Sequence, residues 1–249
     1  ISTVFTSITQ FPYGCLFDLC IVDESGQITE PSILQTFLLS KQVLLVGDSK
    51  QLPPVVRSSV AAKNGLDCSL LARLEQRSAP GDEWNCDLTI QYRMNDSIMG
   101  LVNHLIYDNS LQSGSPQISN ATLHVNMNAK MPCWIQQVFD EKHGVVFINT
   151  DKLADNGRLE KKQEERQGSL ENRFEARLVA VLVNFLMSGD VPRESIGIIS
   201  PYNAQVKCIN DSLSDKAIEA STVDRFQVAH ELFSVVGKRQ GLHYRISCA

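Results

Sequence analysis

The sequence predicts an α/β fold, and two observations carry that prediction. Short apolar runs bounded by turn residues alternate with longer stretches of helical period, the pattern of parallel strands joined by crossover helices. The runs Leu19–Val22, Val43–Val46 and Ile196–Ile199 each end in a polar turn. In an open α/β sheet that carboxyl edge is where ligands bind.

The first strand runs into Asp23 and Glu24 within Leu19-Cys20-Ile21-Val22-Asp23-Glu24-Ser25-Gly26-Gln27. Two adjacent carboxylates at a strand end suit phosphoryl transfer, Asp23 holding Mg²⁺ and Glu24 orienting or deprotonating the attacking water. A plain acidic turn is the alternative. The second strand ends at Gly47-Asp48, followed by Ser49-Lys50-Gln51-Leu52-Pro53-Pro54. Gly47 permits a tight turn, Gln51 offers an amide to a terminal phosphate, and Pro53-Pro54 stiffens the backbone beyond. Taken alone, this is also an ordinary surface loop.

Next comes Gln91-Tyr92-Arg93-Met94-Asn95, ahead of a helix over Asp96–Tyr107 that Asn95 or Asp96 caps and whose apolar face is Ile98, Leu101, Val102, Leu105 and Ile106. Arg93 is either a solvated surface residue or an arginine finger, a role worth about 10³ to 10⁵ in rate. Leu111–Lys130 is Ser/Asn/Gly-rich and reads as a long irregular connection, and the charged segment Asp151–Ser169 reads as a mobile surface insertion. Further strands are expected at Val145–Ile148 and Ile218–Thr222, and a helix over Glu171–Met187 with Gly189 as its C-terminal cap. Ile196–Ile199 opens into Ser200-Pro201-Tyr202-Asn203-Ala204-Gln205, whose hydroxyl, proline and aromatic ring suit a phosphate backbone and a base or sugar face, though alone this is a strand turning into a helix. Thr222-Val223-Asp224-Arg225-Phe226-Gln227 supplies polar groups after another strand.

Composition narrows the classes. The 249 residues are 43% hydrophobic, enough for one large core or two smaller ones, which excludes a fibrous or globally disordered chain. A formal charge of -5 gives no bulk attraction to phosphates, so any nucleic-acid contact must be local. Seven scattered cysteines without a C-x-x-C pair argue against a disulfide framework or a zinc site and for reduced thiols inside a cell, and the five histidines show no ligand spacing. No apolar run approaches the roughly 18 residues of a membrane span, and no leader pattern opens the chain, so no membrane or secretory role is expected. Ile1–Thr6 is itself strand-like, so the sequence is expected to begin mid-domain.

In this order and spacing, D-E-x-x-Q, G-D-x-x-Q-L-P-P, Q-Y-R-M, S-P-Y-x-x-Q and T-V-D-x-F-Q resemble motifs II to V of superfamily 1 helicases, in the branch that moves 5′ to 3′. Within it, F-D-L-C-I-V-D-E, Ser69–Gln76 and Q-Y-R-M-N resemble the eukaryotic DNA replication ATP-dependent helicase/nucleases, which trim flaps during Okazaki-fragment maturation and resect broken ends. The resemblance implies two RecA-like P-loop NTPase lobes, both incomplete, with ATP between them and single-stranded DNA across their tops. The lobes are expected at residues 1–88 and 89–227, with an unrelated tail at 228–249. It implies that Asp23 serves Mg²⁺, Glu24 the water, Gln51 and Arg93 the γ-phosphate, and Asp224 and Gln227 the nucleotide. Pro53, Pro54, Ser200, Pro201, Tyr202 and Thr222 fall to the nucleic acid. It further implies a 4Fe-4S cluster elsewhere in the parent protein, a single-strand-binding protein as the parent's partner, and a place in the nucleus, with the mitochondrion as second compartment.

Three departures stand out. Ser25-Gly26 replaces the family's usual small-then-polar pair, and the 249 residues contain no G-x-x-x-x-G-K-[ST] phosphate loop, so this chain alone should bind ATP poorly. After Gln227 the sequence reads Val228-Ala229-His230-Glu231-Leu232 where the family has Gly-Arg and an acidic residue. Valine codons begin with GT, as most introns do, so residues 228–249 are expected to be a translated intron or a faulty gene model. Two other readings remain, an RNA helicase of the same branch and a non-catalytic nucleic-acid-binding module.

Overall fold

In the computed structural model the described residues are 4, 16–79, 82–128, 131–150, 163–166, 169–226, 233–236 and 245–248. The chain divides into two compact units, Ile1–Leu88 and Thr89–Ala249.

In the first unit, β1 (Phe17–Val22) pairs in parallel with β2 (Ser40–Leu45), Val22 opposite Leu45. Between them runs α1 (Glu30–Phe37), which starts on a proline in its first turn, where the missing N–H costs nothing. After β2 come α2 (Ser59–Lys63) and α3 (Leu70–Glu75), each capped by a serine hydroxyl that accepts a backbone N–H, Ser58 from Ala61 and Ser69 from Ala72. Val22, Ile33 and Leu70 form the core, with Cys20, Val43 and Leu45 packed against it. Arg73 on α3 grips Glu30 on α1 through two bonds of 2.7 Å, a fork geometry that fixes the two helices in register.

Near-continuous apolar runs such as those of β1 and β2 suit strands buried on both faces, yet only one face is buried here. Leu19, Ile21 and Leu44 are 49%, 61% and 48% exposed, because a two-stranded sheet with its helices on one side leaves the alternate residues uncovered. The strand expected at Ile1–Thr6 lies outside the described residues apart from Val4.

The second unit starts with β3 (Ile90–Gln91), α4 (Asp96–Leu105), β4 (Gln112–Ser113) and α5 (Pro116–Ser119), so the expected irregular connection carries a short strand and one helical turn. Asn95 caps α4, its Oδ1 accepting the Ile98 N–H at 3.0 Å. The expected apolar face of α4 is buried at Ile98 and half-buried at Leu101 and Val102, but not in its last turn. Leu105 and Ile106 are 65% and 44% exposed, whereas Asn103 is buried, its amide donating to the Leu111 carbonyl at 3.0 Å and accepting the Leu111 N–H at 2.9 Å. Two backbone groups thereby satisfied outweigh the apolar pattern of the last turn.

Then come α6 (Cys133–Val138), β5 (Val145–Val146) and the antiparallel hairpin of β6 (Gln163–Arg166) with β7 (Ser169–Asn172). Of the insertion expected at 151–169, residues 151–162 and 167–168 lie outside the described residues, and the rest belongs to this hairpin. The 16-residue α7 (Arg173–Ser188) is capped by Asn172 and ends at Gly189, as its period predicts. It buries Ala176, Val179, Leu182, Val183 and Leu186. β8 (Ile196–Ile199), α8 (Asn203–Ser212), β9 (Ala220–Ser221), β10 (Phe233–Val236) and β11 (Arg245–Cys248) complete the unit. The sheet order is β5-β11-β10-β8-β9, with β8 parallel to both β9 and β10, and β11 antiparallel to its neighbours. Two segments of the tail thus lie in this sheet.

On the surface of the second unit, His124 contacts the Glu141 carboxylate through Nδ1 and Asn126 through Nε2 at 3.2 Å. The hydrogen bond to Glu141, then its charge, hold the imidazole above its ordinary pKa of about 6.5. A raised folded-state pKa gives stability that is complete below 6.5 and lost as pH climbs through the raised value. In an NMR titration the His124 ring should titrate above 6.5 and return toward it in Glu141→Gln; an unchanged midpoint would refute the pairing.

Candidate motor site

The first unit gathers its polar groups at the carboxyl edge of the parallel pair. Val46 N–H donates to Val22 O at 2.8 Å and Ser25 N–H to Val46 O at 2.9 Å, carrying the ladder one step past the strands. The buried Ser25 hydroxyl donates to the same Val46 carbonyl at 2.8 Å. Asp23 and Glu24 therefore leave the sheet beside Gly47 and Asp48. Both carboxylates are exposed. Asp23 Oδ1 accepts the Glu24 N–H at 3.0 Å, and Glu24 Oε2 accepts from Gln27 Nε2 at 3.1 Å. Glu24 sits at φ 51, ψ 37, the left-handed region that a non-glycine residue enters at a cost of about 1 kcal/mol or more. Such strain at a candidate water-orienting carboxylate is a recurring mark of functional sites.

The two glycines are explained by close approach. A Cβ on Gly26 would stand 2.8 Å from the Asp48 carbonyl oxygen, and one on Gly47 would stand 3.0 Å from the backbone nitrogens of both Ser25 and Gly26. Gly47 has no positive φ, so contact with the Ser25-Gly26 backbone, in place of the expected tight turn, is what requires it. The departure at Gly26 thus has a local reason. Asp48, to which the sequence assigns no role, organises the loop: its carboxylate accepts the Lys50 N–H at 2.9 Å and Gln51 Nε2 at 2.9 Å, which orients the Gln51 amide. Pro53 is exposed and Pro54 buried.

In the second unit Arg93 lies exposed on the turn between β3 and α4. Gln91 builds that turn. Its Oε1 accepts the backbone N–H of Arg93 at 2.8 Å and of Met94 at 2.6 Å, while its Nε2 donates to the Met94 carbonyl at 2.7 Å. Among the described residues the Arg93 guanidinium has no ion-pair partner, so it is available to an anion.

Parallel β8 and β9 deliver Ser200-Pro201-Tyr202 and Thr222 to one edge, joined by Ser200 N–H to Ser221 O at 3.0 Å. Ser200 is fully buried and Thr222 is 8% exposed, so neither side chain presents its hydroxyl outward as the motif reading expects. Pro201 is exposed and Tyr202 half-buried, which leaves these two as the outward groups. Gln205, the last residue of the S-P-Y-x-x-Q motif, is buried and accepts the Asn172 N–H at 2.6 Å through Oε1, while its Nε2 donates to the Asn172 carbonyl at 3.2 Å. Asn172 is the cap of α7, so Gln205 ties the motif helix to the longest helix of the unit. Asp224 falls in the helical turn Val223–Arg225, and Gln227 lies outside the described residues.

The donor chemistry fits a magnesium–nucleotide complex. Among the described residues no three potential metal ligands converge, so Asp23 and Glu24 cannot cage an ion, and Mg²⁺ typically uses one or two carboxylates with substrate phosphates and water. No helix of the described residues is long and apolar enough to cross a membrane.

A family profile described as an AAA domain matches residues 66–234, and a second of the same description matches residues 2–59. The chain is 36% identical over 226 residues to the DNA replication ATP-dependent helicase/nuclease of Homo sapiens, covering 85% of this chain and 20% of that protein. It is 36% identical over 211 residues to that of Arabidopsis thaliana and over 221 residues to that of Schizosaccharomyces pombe, in each case 85% of this chain and 15% of the relative. The chain therefore spans a fifth or less of the length of these relatives, and the likeness to the helicase/nucleases read from its motifs stands. With both profiles matched and parallel strands ending in the acidic and polar motifs, the chain belongs to the AAA-domain family, with the α/β fold of the P-loop NTPases.

Proposed function

We propose that the chain is the helicase-motor portion of a DNA replication ATP-dependent helicase/nuclease, made of two incomplete RecA-like lobes that work on single-stranded DNA. The observation that supports this best is the carboxyl edge of β1 and β2, where Asp23, Glu24 and the Asp48-anchored Gln51 share one loop framework. Bound ATP would supply the phosphoryl group and Mg²⁺ would offset its negative charge. Asp23 holds the ion, directly or through water. Glu24 accepts a proton from, or aligns, the attacking water, with its direction set by the left-handed backbone and the Gln27 contact. The Gln51 amide and the Arg93 guanidinium stabilise charge on the γ-phosphate oxygens, and Asp224 and Gln227 contact the nucleotide.

Pro201 and Tyr202, together with Pro53, face the strand, a base stacking on the tyrosine ring. Ser200, Thr222 and Pro54 are buried, which leaves the contact to the more exposed groups. None of the 249 residues forms a phosphate loop, so ATP turnover by this chain alone is negligible. The 4Fe-4S cluster and the contacts with a single-strand-binding protein belong to other parts of the parent, whose place of action is the nucleus.

Fluorescence anisotropy with labelled oligonucleotides tests the reading. Single-stranded DNA should bind, and Tyr202→Ala should weaken binding by about 1–3 kcal/mol, the usual contribution of one base–aromatic stack. Preference for RNA of the same sequence would move the substrate assignment to RNA, and absence of binding to either would overturn it. ATP hydrolysis that Glu24→Gln abolishes would show that this chain completes an ATP site unaided.

A further inference from the structure

A second polar concavity lies on the helical flank of the second unit. It has a volume of about 240 Å³ and is lined by Glu171 in β7, by Arg173 and Arg177 in the first turns of α7 and by Lys207, Cys208 and Asp211 on α8. Its charges are unevenly matched. Arg173 and Arg177 are four residues apart, so both project from one face of α7 and repel each other. Glu171, 8% exposed, is engaged with Arg173, whose Nε stands 3.4 Å from its carboxylate. Among the described residues neither Arg177 nor Lys207 has an ion-pair partner. Against the three cations Arg173, Arg177 and Lys207 the lining sets only the carboxylates of Glu171 and of Asp211, which lies four residues beyond Lys207 on α8, so the concavity keeps a positive excess that suits an anion.

The position of the cavity narrows which anion. α8 begins directly after Pro201-Tyr202, and at 1.5 Å rise per residue Lys207 lies about 8 Å further along the axis. A strand stacked on Tyr202 can reach it with a neighbouring phosphate. We propose that this cavity is a phosphate pocket that takes a backbone phosphodiester of the bound nucleic acid, with Arg177 and Lys207 as its anion-binding groups and Arg173–Glu171 as their scaffold. The assignment rests on the strand-binding reading above and extends it to a surface that none of the helicase motifs covers. The pocket also holds its own reporter. Burial pushes the Cys208 thiol pKa up, and a phosphate seated beside it suppresses the thiolate further, so occupancy slows its alkylation.

The test uses the full 249-residue chain with a 12-nucleotide oligothymidylate. Iodoacetamide labelling is followed by peptide mass spectrometry, with the exposed Cys86 as internal reference. The oligonucleotide should slow Cys208 alkylation at least about threefold while leaving Cys86 unchanged. Arg177→Gln and Lys207→Gln should each weaken binding by about 3- to 10-fold and lower the slope of log affinity against log salt by about 1, whereas Arg177→Lys keeps the slope. Undiminished binding by the double glutamine variant, with Cys208 unprotected in the wild type, would overturn the pocket and leave the strand-binding reading intact. Failure of the wild type to bind any oligonucleotide would remove both. Protection of Cys208 by inorganic phosphate but not by the oligonucleotide would reassign the pocket to a small phosphate and defeat the nucleic-acid assignment.

Discussion

Gln205→Leu is expected to destabilise the second unit more than any single surface change, although leucine is nearly isosteric and the position looks apolar by burial. The side chain it replaces is 4% exposed and satisfies both backbone groups of Asn172. A methyl-ended chain leaves that N–H and that carbonyl without partners, at about 1–3 kcal/mol for each group. The loss extends to α7, because Asn172 also caps it by accepting the Glu175 N–H at 3.2 Å. Urea denaturation followed by circular dichroism should show a lower midpoint with an unchanged m-value. A midpoint within experimental scatter of the wild type would show that the clamp is dispensable.

Gly26→Ala should act on the first unit in the same direction. The new methyl would meet the Asp48 carbonyl oxygen at 2.8 Å, and because that atom is backbone, relief requires the loop after β2 to move away from the Asp23-Glu24 turn. Overpacking of this kind costs about 1–3 kcal/mol. The same chemical change at Gly100 gives the opposite sign. There nothing lies within 4 Å of the added Cβ and the residue is interior to α4, so Gly100→Ala should stabilise by about 0.5–1 kcal/mol. Thermal unfolding of the two variants beside the wild type checks both; equal and small shifts would show that the approach of the two loops is slack.

The strand ends were legible in the sequence because an apolar run stopping at a polar turn is a local pattern, and Asp23-Glu24, Gly47-Asp48 and Ser200-Pro201 all mark such stops. The caps Asn95 and Gly189 were legible for the same reason. What the pattern could not supply was which polar residues face inward. Asn103 and Gln205 are chemically interchangeable with surface residues until their partners are known, and those partners lie 8 and 33 positions away in the chain. Motif reading also favours groups that could touch a ligand. It therefore gave no role to Gln91, Asp48 and Gln205, of which the first two hold the backbone around Arg93 and orient Gln51, and the third ties α8 to the start of α7. The last turn of α4 misled for a different reason: Leu105 and Ile106 extend the stripe of Ile98, Leu101 and Val102, but there the inward place goes to the Asn103 amide, which bridges the Leu111 backbone.

The uncovered face of β1 and β2 governs how the molecule behaves in a tube. Phe17, Leu19, Ile21, Leu44 and Val46 are 39% to 61% exposed along the parallel strands, an apolar face broken only by Gln42 opposite Leu19. Colloidal stability will accordingly fall as concentration or ionic strength rises, since salt screens the modest net charge of -5 while strengthening the apolar attraction.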